Sequence, residues 1–328
     1  MTTDAPLSPS ALPPERVDIL QNAVVAPMVE RRNLACGVFR ADGSFCENSR
    51  TLVSASRFTG IPDPLPSDAI EDAGGRFLYA GIGRHHFGHF LMECIGRLWA
   101  MEDHHHDIDG ILVTPMSEID MEAVTRRRFL RFYNLLSFGR PLFLVERPAR
   151  VDEMILPSPA FGHMGWCRGT PRFRNFVRAR LETGLKPEGP DRLYVSRSRL
   201  KAADQRVDQE DRIESLMKAA GYTIFHPQKH SMEEQCRRYM AARQIVGGDG
   251  SAFHLAPFVL QPGTRVGLIR RRYRKPVFDA LAGQITAFAD VRLTCLNALR
   301  PRQLAEAGKP APLDFDKLHV QLAGAGFV

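Results

Sequence analysis

The sequence predicts an α/β protein made of two parallel-sheet halves. From residue 76 onward, short β-rich runs alternate with helical patterns, which is typical of parallel sheets. The alternation occurs twice, on either side of a turn-rich stretch at residues 184–190. The length of 328 residues suits two domains of roughly 150 residues each. Two such halves with a cleft between them would hold a ligand at the carboxyl ends of their strands.

The pattern places individual elements in each half. Predicted strands of the first half are 77–82, 111–114, 142–145 and 154–156, and predicted helices are 87–101, 122–136 and 171–183. In the second half the predicted strands are 193–196, 223–226, 244–247, 266–269 and 291–295, and the predicted helices are 210–220, 232–242, 252–260 and 277–288. Residues 1–15, rich in Pro, Ser and Ala, are predicted to be a disordered arm, and residues 16–75 show no clear pattern.

Composition narrows the classes of partner and compartment. The formal net charge of +7 favours an anionic partner, such as a nucleotide, a nucleic acid or an acidic membrane surface. The basic residues are dispersed and are not interleaved with aromatic residues, which argues against a nucleic-acid binder. Six scattered cysteines without a CxxC pair indicate free thiols in a reducing compartment. With no signal-peptide pattern and no apolar run near ~20 residues, we expect a cytoplasmic protein, with peripheral contact to the inner face of a membrane left open.

A first group of candidate residues lies at residues 83–101, in and just before the predicted helix at 87–101. His85, His89, Glu93 and Arg97 recur every four residues, so they form one polar stripe on an otherwise apolar helix. Buried ionisable groups need partners or a wet cleft, which suggests Glu93 or His89 as a general base. A structural Glu93–Arg97 pair is the competing interpretation, and a metal site of His85, His89 and Glu93 is a weaker one.

Two further groups follow strands of the second half. Arg197, Arg199, Lys201 and Arg206 come directly after a strand that ends at Ser196, and arginine forks bind phosphate oxygens bidentately. A charged surface loop is the plainer interpretation. Residues 247–251 read Gly-Gly-Asp-Gly-Ser between a strand and a helix, a pattern that lets backbone N–H groups and a helix N-terminus approach an anion. The same five residues are similar to the turn of NAD and diacylglycerol kinases.

Taken in order, these motifs resemble the family 61 glycosyltransferases, often described as capsular polysaccharide biosynthesis proteins. The family's Gly-His-Trp-Leu-x-Glu helix reads here as Gly88 to Glu93, followed by Arg97-Leu98-Trp99. Its Tyr-x-Ser-Arg strand end reads as Tyr194 to Arg197, and its Arg-x-x-Asn-Glu as Arg206 to Glu210. Gly-Tyr-x-Ile at 221–224 and Glu-Gln at 234–235 complete a resemblance that covers roughly residues 76–270. His86, Asp249 and Leu255 depart from the family pattern.

The resemblance implies a GT-B type fold, in which two Rossmann-like domains face each other across a cleft. We expect an acceptor-side domain at residues 16–185, a donor-side domain at 186–296, and a helical segment at 297–328 that packs back on the first domain. It also implies an inverting hexosyl- or pentosyltransferase with a nucleotide sugar as donor, a glycan as acceptor and no obligatory metal or other cofactor. We identify no strong Asp-x-Asp metal site.

Roles follow for individual residues. We expect Glu93 or His89 to be the base, with Asp249 as a further catalytic candidate. In a half-apolar cleft, burial would raise the pKa of Glu93 and make it a better base. Asp249, which would repel a diphosphate, could instead contact a ribose, an acceptor hydroxyl or a basic residue. The residues expected to bind the donor are Arg197, Arg206, Ser196, Gly248, Gly250, Ser251 and His254, and those on the acceptor side are His86 and Arg97.

Other functions stay open at this point. The same architecture could serve as an inactive nucleotide-binding or scaffolding subunit of a polysaccharide assembly complex, which the departures at Asp249 and Leu255 favour. The NAD or lipid kinase alternative rests on the glycine turn alone. A homo-oligomer is also compatible with the sequence.

Overall fold

The computed structural model describes residues 6–30, 33–116 and 129–328, and the chain divides into two compact units, Met1–Arg180 and Leu181–Val328. Each unit has its own sheet with parallel strands, so the chain is a mixed α/β protein consistent with a Rossmann-like fold. The part of the predicted helix 122–136 that precedes residue 129 lies outside the described residues. Among the described helices, none combines the length and apolarity needed to cross a bilayer.

The first unit contains one mixed sheet. Its strands are β1 (Val17–Glu30), β2 (Ala35–Phe39), β3 (Glu71–Asp72), β4 (Arg76–Gly83), β5 (Gly110–Pro115), β6 (Leu142–Leu144) and β7 (Ala149–Pro157). The strand order is β2-β1-β7-β4-β5-β6, with β3 paired beside β7. Strands β7, β4, β5 and β6 run parallel, whereas β1 pairs antiparallel with both β2 and β7. The predicted parallel sheet of this half therefore holds for β7, β4, β5 and β6, and the antiparallel strands β1 and β2 come from the region that the pattern left unassigned.

The long strand β1 lies in the region where the sequence shows no pattern. Asn22 has a positive φ of 51° in the middle of the strand, between the pairs Gln21–Glu153 and Ala23–Val151. Residues 23–27 beyond it are buried without alternation. Because the period-two pattern of a half-buried strand is interrupted at Asn22 and absent after it, the strand could not be recognised from hydrophobic periodicity.

The helices of the first unit differ from the prediction in one important place. They are α1 (Phe87–Glu93), α2 (Met101–His104), α3 (Leu130–Leu136) and α4 (Pro171–Gly184), the last of which crosses into the second unit. The single helix predicted at 87–101 is wrong, because the α-helix ends at Glu93 and a 3₁₀ turn at Leu98–Ala100 separates it from α2. Gly96 explains the break: its carbonyl accepts a hydrogen bond from Ala160 N at 2.9 Å, and its Cα packs directly against the Phe161 carbonyl.

The second unit is a fully parallel five-stranded sheet flanked by helices. Its strands are β8 (Arg192–Val195), β9 (Thr223–Phe225), β10 (Gln244–Gly248), β11 (Arg265–Ile269) and β12 (Arg292–Leu296), in the order β12-β11-β10-β8-β9. Its other helices are α5 (Glu210–Ala219), α6 (Met232–Ala241), α7 (Ala252–Leu255), α8 (Lys275–Phe288) and α9 (Phe315–Gly324). The five strands predicted for this half are confirmed. The helix predicted at 252–260 is instead a four-residue α-helix followed by a 3₁₀ turn at Ala256–Phe258.

Each sheet has a topological switch point, where the strand order reverses and ligands of open α/β sheets usually bind. In the first unit, β5 and β6 follow on one side of β4, and β7 returns to the other side. In the second unit, β9 lies on one side of β8, and β10 lies on the other. The loops that follow β4 and β7, and those that follow β8 and β10, therefore meet at the carboxyl edge of their own sheet.

Each terminal segment makes contacts within its own unit. The family resemblance implies that residues 297–328 pack back on the first domain, whereas Leu318, Leu322 and Phe327 lie in the hydrophobic core of the second unit, together with Tyr194 and Val246. Asp314 caps α9 by accepting a hydrogen bond from Lys317 N at 3.0 Å. At the other end, the carbonyls of Ser8 and Ala11, in the predicted disordered arm, accept hydrogen bonds from the Trp166 indole at 3.0 and 2.9 Å.

Candidate active site

A cluster of arginines lies at the carboxyl edge of the second sheet. Arg197 follows β8, Asp249 and Gly250 follow β10, and Arg271 and Arg272 follow β11. Strands β8, β10 and β11 are parallel neighbours, so their ends bring these residues together. The cluster therefore sits at the switch point of this sheet, where Rossmann-like folds bind phosphate-bearing ligands.

Arg197 and Arg206 are held by the same kind of contact. Arg197 Nε donates to the Gln205 carbonyl at 2.6 Å, and Arg206 Nε donates to the Leu200 carbonyl at 2.8 Å. Both bonds brace the loop between β8 and α5. Among the described residues, neither Arg197 nor Arg206 makes a hydrogen bond through its two terminal Nη groups. Each guanidinium therefore keeps its paired donors, the arrangement that binds two phosphate oxygens at once.

Glu210 fixes the start of the same loop. Its Oε1 accepts the backbone N–H of Arg197 at 2.8 Å, and its Oε2 accepts the backbone N–H of Val207 at 3.2 Å. Burial raises the pKa of Glu210, and the two backbone hydrogen bonds oppose this shift. The residue before it, Gln209, has a positive φ of 53°. This conformation is one that asparagine adopts readily, which gives a physical reason for the Asn of the Arg-x-x-Asn-Glu pattern.

The glycines of the turn allow close packing of backbone and side chains. A Cβ at residue 247 would lie 2.6 Å from the Val195 carbonyl oxygen, and one at residue 248 would lie 2.6 Å from Val207 Cγ2. At residue 250 it would overlap Arg197 Nη1 and lie 2.9 Å from Arg197 Cζ. Because α7 is only four residues long, the expected contribution of a helix dipole is weak. Gly250 instead matters because it lets the Arg197 guanidinium lie against the turn.

Asp249 is buried beneath this cluster and contacts basic residues, one of the three contacts expected for it. Its Oδ1 accepts the backbone N–H of Arg271 at 2.8 Å, and its Oδ2 accepts Arg272 Nε at 2.9 Å. Arg271 Nε also donates to the Asp249 carbonyl oxygen at 2.6 Å. The carboxylate has no exposed surface. It therefore lies where a counter-charge for the arginines would lie.

Sequence reasoning missed Arg271 and Arg272 as site residues. The available signal was the basic run 270–275, which begins directly after the end of a predicted strand. Burial, and next the positive charge of Arg197, lower the pKa of Arg271 to about 9. Burial also lowers the pKa of Arg197, which Asp249 partly restores. Cations that are destabilised in this way by burial and by one another are stabilised by an anion.

The remaining residues expected to bind a donor have partners within the second unit. Ser196 is buried, and its hydroxyl donates to Glu214 Oε1 at 2.6 Å. His254 Nδ1 lies 2.6 Å from Gln284 Oε1, on helix α8. Ser251 precedes α7 without capping it through its side chain. A Cβ at residue 248 would lie 3.5 Å from Arg197 Cδ and 3.5 Å from Arg271 Cδ. Of the residues expected to bind a donor besides the arginines, Gly248 and Gly250 are the ones that lie against the arginine cluster.

The second candidate cluster lies at the switch point of the first sheet. Glu93 ends α1, which follows β4, and His163 lies in the loop that follows β7. Glu93 Oε1 is 2.5 Å from His89 Nδ1 and 2.7 Å from His163 Nε2. The Glu93 side chain is fully buried, whereas the side chains of His89 and His163 are 36% and 20% exposed. One buried carboxylate thus orients two partly exposed imidazoles.

The pKa of Glu93 is shifted in the direction opposite to the expectation. Burial is the largest influence and raises this pKa, but the hydrogen bonds and the charge interactions of His163 and His89 together outweigh it, and the net pKa lies below the ordinary value of a glutamate. The expectation of a raised pKa is therefore wrong, because it considered the apolar surroundings without the two imidazoles. A carboxylate with a lowered pKa is a poor base. The imidazole of His89, which it orients, is the better candidate.

His163 was not predicted as a site residue. It stands alone in a Phe-Gly-His-Met-Gly-Trp stretch, 70 residues after Glu93, and only the adjacency of β4 and β7 brings the two together. One ring nitrogen of His89, one of His163 and a Glu93 oxygen all lie within 4.8 Å of one another, so the three side chains could hold a metal ion. This set differs from the expected metal alternative, which contained His85 in place of His163.

The two residues expected on the acceptor side differ in exposure. Arg97 is buried, and its guanidinium donates to the carbonyls of Pro157 and Arg50, the latter at 2.7 Å. Burial lowers the pKa of Arg97 to about 10. The alternative of a Glu93–Arg97 pair is therefore wrong, since the two side chains have separate partners. His86 is exposed, and its ring lies 5.2 Å from the His89 ring.

The chain is thus a mixed α/β protein consistent with a Rossmann-like fold, with an arginine cluster at the switch point of one sheet and an imidazole–carboxylate cluster at that of the other. A family model, Glycosyltransferase 61, matches residues 87–267, more than half of the chain. The protein belongs to glycosyltransferase family 61, and the resemblance read from its motifs is confirmed. The family supports a glycosyltransferase activity. No curated protein matches the sequence.

Proposed function

We propose that this protein is an inverting glycosyltransferase whose second unit binds the diphosphate of a nucleotide sugar. The observation that carries the proposal is the arginine cluster at the switch point of the parallel sheet. Arg197 and Arg206 have paired Nη donors without protein partners in the described part of the chain, and Gly250 lets Arg197 approach the turn. A diphosphate is the ligand that several convergent guanidinium groups suit best.

The first unit supplies the base in this proposal. His89 takes the proton from an acceptor hydroxyl on Nε2. Glu93 accepts a hydrogen bond from His89 Nδ1–H and stabilises the imidazolium that forms. The acceptor oxygen then attacks the anomeric carbon on the face opposite the diphosphate. The bond from that carbon to the diphosphate breaks, and the arginines stabilise the negative charge that develops on the leaving group. Direct displacement of this kind inverts the anomeric centre.

The finer features of the proposal come from the family resemblance. They are a GT-B arrangement with an acceptor-side first unit and a donor-side second unit, a hexosyl or pentosyl donor, and no obligatory metal. The acceptor would be a glycan of capsular or extracellular polysaccharide synthesis, used at the cytoplasmic side of the membrane.

One observation favours a second candidate, an inactive nucleotide-binding subunit. The Asp249 carboxylate already pairs with Arg272 and accepts the backbone N–H of Arg271, so a donor diphosphate must approach these residues beside a fixed negative charge. Binding without turnover would result if this contact held the donor in an unreactive position. The two candidates differ in transfer and donor hydrolysis, not in nucleotide binding.

Binding of UDP, GDP, CDP and CMP, measured by thermal shift and calorimetry, tests the donor site. We expect at least one nucleotide to stabilise the protein, because a ligand that binds only the folded state raises its melting temperature. Arg197→Ala should weaken that binding by about 10- to 100-fold, the equivalent of one lost charge-assisted contact. Arg199→Ala is the matched control, since Arg199 is an exposed residue of the same loop. Equal affinity in the two variants would refute the site.

Transfer assays with a panel of nucleotide sugars then separate the enzyme from the inactive subunit. Glu93→Gln and His89→Ala should reduce transfer by about 100-fold or more and leave nucleotide affinity unchanged, because general-base catalysis contributes on this scale. Wild-type protein that binds nucleotide but neither transfers nor hydrolyses any donor would favour the inactive subunit. Normal turnover of both variants would exclude the proposed base.

A further inference from the structure

We infer that His89, Glu93 and His163 form a binding site for a divalent transition-metal ion, with Zn²⁺ as the best match. Two imidazole nitrogens and a carboxylate oxygen converge within 4.8 Å from two separate segments of the first unit. Two histidines and one carboxylate are a common ligand set of zinc and of other first-row metals, with further positions left to water. Each of the three residues contributes one ligand atom.

The buried carboxylate gives a second reason to expect a cation. Glu93 Oε2 is buried and has no hydrogen-bond partner among the described residues, although Arg84 Nε lies 3.6 Å away. The Arg84 guanidinium pairs with this oxygen but is too far away for a hydrogen bond, and a bound cation that shares the carboxylate would compensate for the missing hydrogen bond. The imidazoles remain 36% and 20% exposed, so an ion can reach them from solvent.

The ligand atoms, which lie within 4.8 Å of one another, must rearrange to the spacing of a metal site. Ligand atoms at zinc's usual bond lengths of about 2.0–2.2 Å in a tetrahedral site lie roughly 3.3 Å apart. The nitrogen–oxygen distances of 2.5 and 2.7 Å must therefore open by less than 1 Å. Each imidazole then presents a lone pair to the ion and carries its proton on the other ring nitrogen.

The ligand types also predict which ions bind. Mg²⁺ and Ca²⁺ prefer several oxygen ligands, and this site offers one carboxylate that already faces a guanidinium. Imidazole-rich sites favour Zn²⁺, Ni²⁺ and Cu²⁺. We therefore expect Zn²⁺ to bind and Mg²⁺ and Ca²⁺ not to compete with it.

Metal binding and the proposed base exclude each other at His89. An ion on Nδ1 leaves the His89 proton on Nε2, the atom that takes the acceptor proton in the proposed mechanism. Zinc should therefore inhibit transfer reversibly. This consequence rests on the proposed function, whereas the binding site itself does not, because binding is measured without any sugar substrate.

Calorimetric titration of the full chain with ZnCl₂, checked by competition with a chromogenic zinc indicator, tests the site. We expect one tight ion per chain and an affinity at least 10-fold lower in His163→Ala. A variant with alanine at residues 104–106 is the essential control, because that histidine run is a rival site in the same unit. It should keep the tight ion, and an excess of MgCl₂ should not displace it.

A spectroscopic readout covers the case in which His163→Ala does not fold. Co²⁺ bound at the wild-type site should give visible ligand-field bands of nitrogen and oxygen ligation without a thiolate charge-transfer band, which excludes the cysteines. The inference is overturned by the absence of a stoichiometric ion, by loss of the ion in the 104–106 variant, by a thiolate band, or by unchanged affinity in a folded His163→Ala.

Discussion

The guanidinium of Arg197 lies against the Cα of Gly250, with Cζ 2.9 Å from the place that a Cβ at residue 250 would take. The contact joins the loop after β8 to the turn after β10, at the switch point of the second sheet. Glycine is therefore required at residue 250 for space, since its φ is not among the positive values.

Gly250→Ala should displace the Arg197 guanidinium without unfolding the protein. We expect the affinity for inorganic pyrophosphate to fall by about 10-fold, the equivalent of about 1.4 kcal/mol. Calorimetry measures the change. Gly324→Ala is the matched control, because nothing lies within 4 Å of a Cβ at that position. Unchanged pyrophosphate affinity in Gly250→Ala would show that the position of Arg197 does not matter for anion binding.

Asp249→Asn should remove a counter-charge from the arginine cluster. We expect the free energy of unfolding to fall by about 1–3 kcal/mol at low ionic strength, because buried charged groups lose a partner. The stabilisation by added pyrophosphate should become larger than in the wild type, since the anion now replaces the missing charge. Thermal melts with and without pyrophosphate measure both effects.

Asp279→Asn is the control for Asp249→Asn. Asp279 pairs with Lys275 at 2.5 Å on the exposed face of α8, where such pairs contribute little. We expect its stability to change by about 0.5 kcal/mol or less, with no change in the pyrophosphate effect. If pyrophosphate stabilised Asp249→Asn no more than the wild type, the role of Asp249 as a counter-charge would be excluded.

Glu93→Gln should change how stability depends on pH. Because the folded-state pKa of Glu93 lies below its ordinary value, the carboxylate contributes stability that is complete above the ordinary pKa. This stability is lost as the pH falls through the lowered pKa. The difference in unfolding free energy between wild type and Glu93→Gln should therefore be largest near neutral pH and shrink in acid. Urea unfolding at a series of pH values tests this, and a constant difference would contradict the assignment.

Arg97→Ala should destabilise the first unit independently of any ligand. The variant leaves the buried carbonyl of Pro157 and the partly buried carbonyl of Arg50 without this donor and creates a cavity, which together cost about 3 kcal/mol. Arg147→Ala is the control, since Arg147 pairs with Glu71 at the surface and its side chain is 76% exposed. Similar melting temperatures for the two variants would disprove the structural role of Arg97.

The sequence was most informative where local patterns repeat. In the second unit, five strands and most helices were predicted because each strand is a short apolar run between helical patterns. The prediction failed at β1, where Asn22 interrupts the alternation, and at Gly96, where a contact with residues 160–161 ends a helix that the periodicity continues. Both failures arise from features that a periodic pattern cannot contain.

The sequence by itself determined the α/β class, the family, and the motifs that hold Glu93, His89, Arg197 and Arg206. The tertiary structure decided which residues join them. His163 reaches Glu93 because β4 and β7 are neighbours, and Arg271 and Arg272 reach Asp249 because β10 and β11 are neighbours. The physical reason is that strand order determines which side chains meet at a site and which charged groups surround each of them. The order brings together residues far apart in the chain, and no local periodicity records it.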